Sequence, residues 1–214
     1  MNLRLWVWII VSLLWGGTAA NGFTRLAFTP VLIQIGGDLQ FTDSQAASIS
    51  NATFSDKFTN SYVLSAGIGT QAWGPVYVGF RYTYWLGQQK YQVTGEDRTD
   101  RLNLQGIGPE LGWQWGNPRI QYRAVVGISY PLVCHMDRLK NSSQTFTPAK
   151  IPLLYETRLQ LNLKFSSAIS WVLEGGYRKA NLGNLQSDTE DFLAAGSDLD
   201  FSGFFLGTGL GIHF

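Results

Sequence analysis

The sequence predicts an all-β chain: eight antiparallel strands closed into a transmembrane barrel in up-and-down meander order. Three observations predict it. Apolar and polar residues alternate at period two through eight segments, with no helical repeat. The gaps between those segments are alternately short and long. The aromatic residues of the apolar face collect near the two ends of the segments and leave an aliphatic belt between them. Composition agrees. Hydrophobic residues are 45% of the chain and charged residues only 14%, against about 25% charged in an ordinary soluble protein. A mean hydropathy of −0.02 means the apolar residues are dispersed rather than gathered into helical spans. A net charge of +1 gives no sign of a nucleic-acid partner. The single cysteine, Cys134, allows no internal disulfide and no thiolate metal site, and no cofactor or metal is expected.

Residues 1–20 read as a cleavable secretory signal. Arg4 supplies the positive charge, Leu5–Trp15 is apolar apart from Ser12, and Thr18 and Ala20 are the small residues at the cut. The apolar run is shorter than the roughly 20 residues a spanning helix needs. Residues 21–214 form one barrel domain, with strands expected at 29–41, 58–71, 75–86, 101–115, 118–133, 151–165, 169–181 and 202–214. The turns at 72–74, 116–117 and 166–168 are short. The connections 42–57, 87–100, 134–150 and 182–201 are long and polar.

Each segment has an apolar face. It runs through Val31, Ile33 and Ile35 in the first strand, Leu64, Ala66 and Ile68 in the second, and Val76, Val78 and Phe80 in the third. In the fourth it holds Leu102 and Leu104, then Leu111, changing parity across Gly106, Gly108 and Pro109. A one-residue slip flips every side chain to the other face, so a β-bulge is expected in that strand, where proline is tolerated. The sixth strand is the clearest, from Ile151 and Leu153 to Leu159, Leu161 and Leu163. Trp73, Trp113, Trp115, Phe165 and Trp171 border the short turns. Tyr62, Tyr82, Tyr84, Tyr130, Tyr155 and Tyr177 lie towards the long connections. A soluble barrel with a greasy calyx also alternates, but it has no reason to sort its aromatics into two bands. The apolar face therefore points outward, to lipid.

The last strand alternates Phe204, Leu206, Thr208, Leu210, Ile212 and Phe214 with Phe205, glycines and His213. A terminal strand ending on an aromatic resembles the small bacterial outer-membrane barrels, the OmpA transmembrane domain and its relatives OmpX and Ail. The resemblance implies a place in the bacterial outer membrane and both termini on the periplasmic side. It implies Phe214, Ile212 and Leu210 as a signal read by the barrel-assembly machinery, and outer-membrane lipids and lipopolysaccharide as partners. The pattern stops at Phe214, so cell-wall anchoring through a following domain is not expected, and the OmpX-like group is the nearer likeness.

The opposite face then lines the lumen. It carries Asp38, Arg81, Glu110, Arg123, Glu156, Arg158, Lys164, Glu174 and Arg178, with Gln34, Asn103, Gln105, Gln160 and Asn162. Charges of both signs are nearly balanced, which favours pairing over an ion-selective lining. Counting from the short turns puts Glu156 opposite Arg178, Gln160 opposite Glu174 and Glu110 opposite Arg123. A barrel of this size is just filled by its own side chains. Inward glycines such as Gly69, Gly79 and Gly209 leave room for water or a narrow conduit.

Some barrels of this size modify lipid A with a His–Ser–acid set at the outer rim. Here His135, Asp137, Ser142 and Ser143 supply the residue types, but His135-Met136-Asp137 lacks the His–Ser spacing of the deacylases. His213 reads as a polar interior residue, Cys134 as a residue packed at the membrane edge, and the acidic run Asp188, Glu190, Asp191, Asp198 and Asp200 as a solvated loop. The leading expectation is a non-enzymatic structural or surface-interaction protein. It presents its long loops to an extracellular ligand and is plugged by paired charges. The alternatives are a narrow passive channel and a lipid A modifying enzyme at His135.

Overall fold

A computed structural model describes residues 32–42, 52–56, 60–139, 143–148, 150–186 and 199–214. The leader, Val31, Ser142 and the acidic residues Asp188, Glu190, Asp191 and Asp198 lie outside them, as do the side chains of Ile33, Gln34, Asp38 and Ser143.

Eight strands close into one antiparallel barrel. They are β1 (Leu32–Thr42), β2 (Asn60–Trp73), β3 (Val76–Val93), β4 (Glu96–Gly116), β5 (Ile120–Leu139), β6 (Leu154–Lys164), β7 (Ile169–Lys179) and β8 (Gly203–His213). Each pairs with its neighbours in sequence, and β1 closes on β8 from Leu32↔His213 to Thr42↔Gly203. Closure leaves no unpaired edge around the wall, the condition for a sheet to sit in lipid.

Alternation carries each strand's apolar set outward. Ile35, Leu64, Ile68, Leu111, Val126, Leu159, Leu206 and Leu210 stand exposed in a belt around the barrel. The expected aromatic bands are on this face. Trp73, Trp113, Trp115, Phe165, Trp171 and Phe214 project outward near the short turns, and Tyr62, Tyr130, Tyr155, Tyr177 and Phe204 near the other end. Tyr82 and Tyr84 share that outer face and are half-buried. Trp115 stacks on Tyr122, and Tyr177 meets Phe204 edge to face.

Three features depart from the sequence reading. First, the bulge is in β5, not β4. The β3–β4 register is unbroken from Val76↔Trp113 to Val93↔Glu96. The slip lies on the β4–β5 side, where Gln105 faces Val133 but Gly106 faces Pro131, leaving Leu132 as the extra residue. With no parity change in β4, Leu102 and Leu104 point inward and are buried, while Asn103 and Gln105 are on the outer face. In β5 the bulge reverses parity, so Cys134 turns inward against buried apolar residues and His135 outward.

Second, the β4–β5 turn lies two residues further along the chain than expected, closed by the bond from the Asn117 N–H to the Ile120 carbonyl at 2.9 Å. Gly116 faces Gln121, and the Asn117 side chain accepts the backbone N–H groups of Arg119 and Ile120. The register therefore moves: Arg123 faces Gln114, and Glu110 faces Gly127 rather than Arg123.

Third, 87–100 is not a loop. β3 and β4 continue paired to a two-residue turn at Thr94-Gly95, both with positive φ (51° and 84°). Such a turn matches the right-handed twist of the flanking strands. The short strand Ala52–Asp56 pairs with the far end of β3, and Ser143–Pro148 pairs with the far end of β5. Leu185–Gln186 adds to Ser143–Pro148. Among the described residues, a sheet thus rises beyond the aromatic band at this end only.

The lumen as candidate functional site

Side-chain size along each hydrogen-bonded row decides what can cross the barrel. Arg81 sits between Gly67 and Gly108, and Arg158 has Gly176 on one side. With glycine on both sides of Arg81 and on one side of Arg158, which has Val125 on the other, these long cations extend over the lumen rather than along the wall. Arg81 on β3 reaches Glu174 on β7 with both terminal nitrogens, Nη1 to Oε2 at 3.0 Å, and also donates to Ser65 at 2.8 Å. Arg158 on β6 reaches past β5 to Glu110 on β4 at 2.7 Å and also pairs with Glu156. Glu156 in turn takes Arg178 from the opposite position of the β6–β7 ladder. Gln160 faces Glu174 and donates to it at 2.6 Å.

The result is one network of three arginines and three glutamates, all almost wholly removed from solvent. Charges so buried persist only when paired and hydrogen-bonded. Of the lumen residues named from the sequence, Arg81, Glu110, Glu156, Arg158, Glu174 and Arg178 come together here. Asp38 holds an inward position on β1, opposite Gly207 and Val63, with its side chain outside the described set.

Arg123 makes no ion pair in the network among the described residues and joins it through Gln160. Its guanidinium donates to Gln114 at 2.7 and 3.2 Å and to Gln160 at 3.2 Å, and lies 3.8 Å from the centroid of the Tyr77 ring. That ring fills the space left by two glycines: a Cβ on Gly69 would stand 2.1 Å, and one on Gly79 2.6 Å, from the Tyr77 hydroxyl.

Above the charges the interior turns apolar. The row Val63–Trp85–Leu104–Cys134 crosses four strands. Met136, Phe146, Leu154, Leu182, Leu185, Leu199 and Phe201 pack with it. Arg178 joins the two layers: its guanidinium lies 3.9 Å from the Phe205 ring centroid and 5.6 Å from that of Trp85. Leu182, Leu185, Leu199 and Phe201 belong to the connection 182–201, so that segment contributes core as well as acidic residues. Higher still, in the raised sheet, Asp100 takes Gln89 at 2.8 Å, Tyr91 at 3.3 Å and Arg138 at 3.1 Å. Burial, with Asp100 alongside, pushes the Tyr91 phenol up to about 12 and keeps it a donor.

Of the residues considered for catalysis, His135 and Asp137 lie on the outside of that sheet. His135 stands 3.4 Å from Asn103 and 3.6 Å from Asp137, and Asp137 accepts from Thr145 at 2.7 Å. Ser143 opens the return strand opposite Leu139, four positions beyond His135 and so about 13 Å along the strand. No cluster of metal-binding side chains occurs among the described residues.

The apolar layer and the Arg158–Glu110 contact were missed from sequence. A signal for the former existed in the unbroken odd–even order of β4 once Leu102 and Leu104 are allowed inside. No pairwise register exposes the latter, because it skips a strand.

No protein-family model matches the chain, and no curated protein sequence matches it. Solved structures do. Neisserial surface protein A (NspA) is 12% identical with a TM-score of 0.50, over 86% of this chain and 97% of that one. Outer Membrane Protein W of E. coli is 10% identical with a TM-score of 0.50, over 89% and 100%. Ail of Yersinia pestis is a looser likeness, 11% identical with a TM-score of 0.45, over 87% and 99%. The fold is thus that of the small outer-membrane barrels. Together with the exposed apolar belt and its two aromatic bands, it locates the chain in the outer membrane.

Proposed function

We propose that this outer-membrane barrel is non-enzymatic and closed to solutes, and that it acts through the sheet raised above the membrane. The observation that supports this reading is that two layers of contacts reach across the lumen. Paired arginines and glutamates span its middle, and an apolar layer from Val63 to Phe201 lies above them. A passage for hydrated solutes needs a continuous polar path, and the row Val63–Trp85–Leu104 interrupts it.

In the same reading the short turns face the periplasm and the raised sheet faces outward. It is a folded platform with its own buried Asp100–Arg138 pair, suited to presenting a fixed surface to a ligand or a neighbouring cell. A lipid A modifying role centred on His135 has less support. The histidine is engaged by Asn103 and Asp137, and the strand position of Ser143 is remote from it. Proteoliposome swelling tests the proposal. Vesicles carrying the folded protein should exclude small sugars as protein-free vesicles do, and swelling in proportion to protein content would reject closure.

A further inference from the structure

We infer that the short-turn end of the lumen is a binding site for a phosphate-type oxyanion. The charge layer uses its glutamates on Arg81, Arg158 and Arg178. Below it the balance ends. Arg123 is buried and makes no ion pair among the described residues, its bonds going to neutral Gln114 and Gln160. Lys164 lies on the inward face of β6 opposite Ser170. His213 is on the inward face of β8, with Nε2 2.9 Å from the Ser170 hydroxyl. Lys164 and Arg123 are both near enough to act electrostatically on His213.

A second, independent observation marks the same place. Asn162 lies between Arg123 and Lys164 in the barrel's rows, facing Gln121 on one side and Val172 on the other. It is 0% exposed, and neither its amide nitrogen nor its amide oxygen has a partner among the described residues. A buried amide left in that state costs free energy, and burying like charges together adds to the cost. A tetrahedral oxyanion relieves both. It accepts from the Asn162 amide, the Lys164 ammonium and the His213 ring, and it neutralises the field of Arg123. Inorganic phosphate and the phosphate of a phospholipid headgroup at the lumen mouth share this chemistry.

The test uses the folded chain in nonionic micelles, following the two histidine ring signals by NMR. His135, at the opposite end of the barrel, is the internal reference. Inorganic phosphate at constant ionic strength should shift His213 saturably and leave His135 in place. Lys164→Ala and Asn162→Leu should each weaken the response about tenfold. A second arm replaces phosphate with phosphatidylglycerol or, as control, a neutral diacylglycerol. A saturable response to the phospholipid alone assigns the headgroup as the source, and one to phosphate alone assigns the free ion. Asn162→Leu also separates a site from a mere unpaired amide. Gain of stability in anion-free buffer, with the His213 response intact, overturns the proposal, and so does the absence of a saturable shift in both arms.

Discussion

Arg81 and Glu174 meet across the full width of the barrel: β3 and β7 are four strands apart in a ring of eight, yet guanidinium Nη1 lies 3.0 Å from carboxylate Oε2. Glu174 is also within 3.4 Å of Arg158 Nε and takes the Gln160 amide. Removing it leaves two buried cations short of a partner. Glu174→Ala should therefore cost about 3–5 kcal/mol, read as a lower midpoint in urea unfolding of the protein inserted in lipid. A loss of under about 1 kcal/mol would mean that the contact spanning the lumen contributes little.

Arg178 sits against Phe205 while its head pairs with Glu156. A lysine keeps the charge but loses the flat face and the fork of donors. Arg178→Lys should destabilise by about 1–2 kcal/mol through the lost stacking alone. In a Phe205→Leu background the same change should cost measurably less, which a double-mutant cycle reads directly.

The position of the bulge makes opposite predictions for two adjacent residues. Leu104 is inside and buried, and Gln105 is on the outer face. Leu104→Asn should lower stability by about 2–4 kcal/mol, since it opens a cavity and buries an amide among apolar side chains. Gln105→Leu should be tolerated within about 0.5 kcal/mol. The reverse ranking in unfolding experiments would return the bulge to β4.

Thr94 has a φ of 51° at the tip of the β3–β4 hairpin. A β-branched residue is a poor occupant of left-handed backbone, and asparagine a good one. Thr94→Asn should stabilise the raised hairpin by about 1 kcal/mol, seen as slower amide exchange in residues 90–99 with the rest of the barrel unchanged.

Gly69 leaves room for the Tyr77 ring. Gly69→Ala should cost about 1–3 kcal/mol by displacing that ring from the lumen, and less in a Tyr77→Leu background. Equal costs in the two backgrounds would show that Tyr77 is not what limits the position.

Much of the wall was legible in the sequence, because a closed sheet in lipid imposes one rule on every strand. Tyr62, Leu64, Ala66 and Ile68 alternate without exception, and so do Leu159, Leu161 and Leu163. The short turn at 166–168 fixes the β6–β7 register, and hence Glu156 opposite Arg178, by counting alone. The rest failed for specific reasons. Leu102 and Leu104 look like lipid-facing leucines because alternation reports that a residue is apolar, not whether its apolar surroundings are lipid or core. The bulge at Leu132 leaves no mark in β4, where its effect was sought. Glu110 found Arg158 rather than Arg123 because the turn lies beyond Asn117 rather than at Gly116-Asn117 and because arginine beside glycine spans strands. The connections read as polar loops hid Tyr91, Phe146 and Leu185, which are buried only because the strands continue past the membrane.

Single-channel recording tests the central claim most directly. The folded wild-type chain, incorporated into a planar bilayer at neutral pH, should give no stepwise current at any applied voltage. Removing both barriers together, in a Glu174→Ala, Trp85→Ala and Phe205→Ala variant that still inserts, should open discrete conductance steps. Steady unitary currents from the wild type would contradict a closed lumen and restore the narrow channel as the function of the barrel.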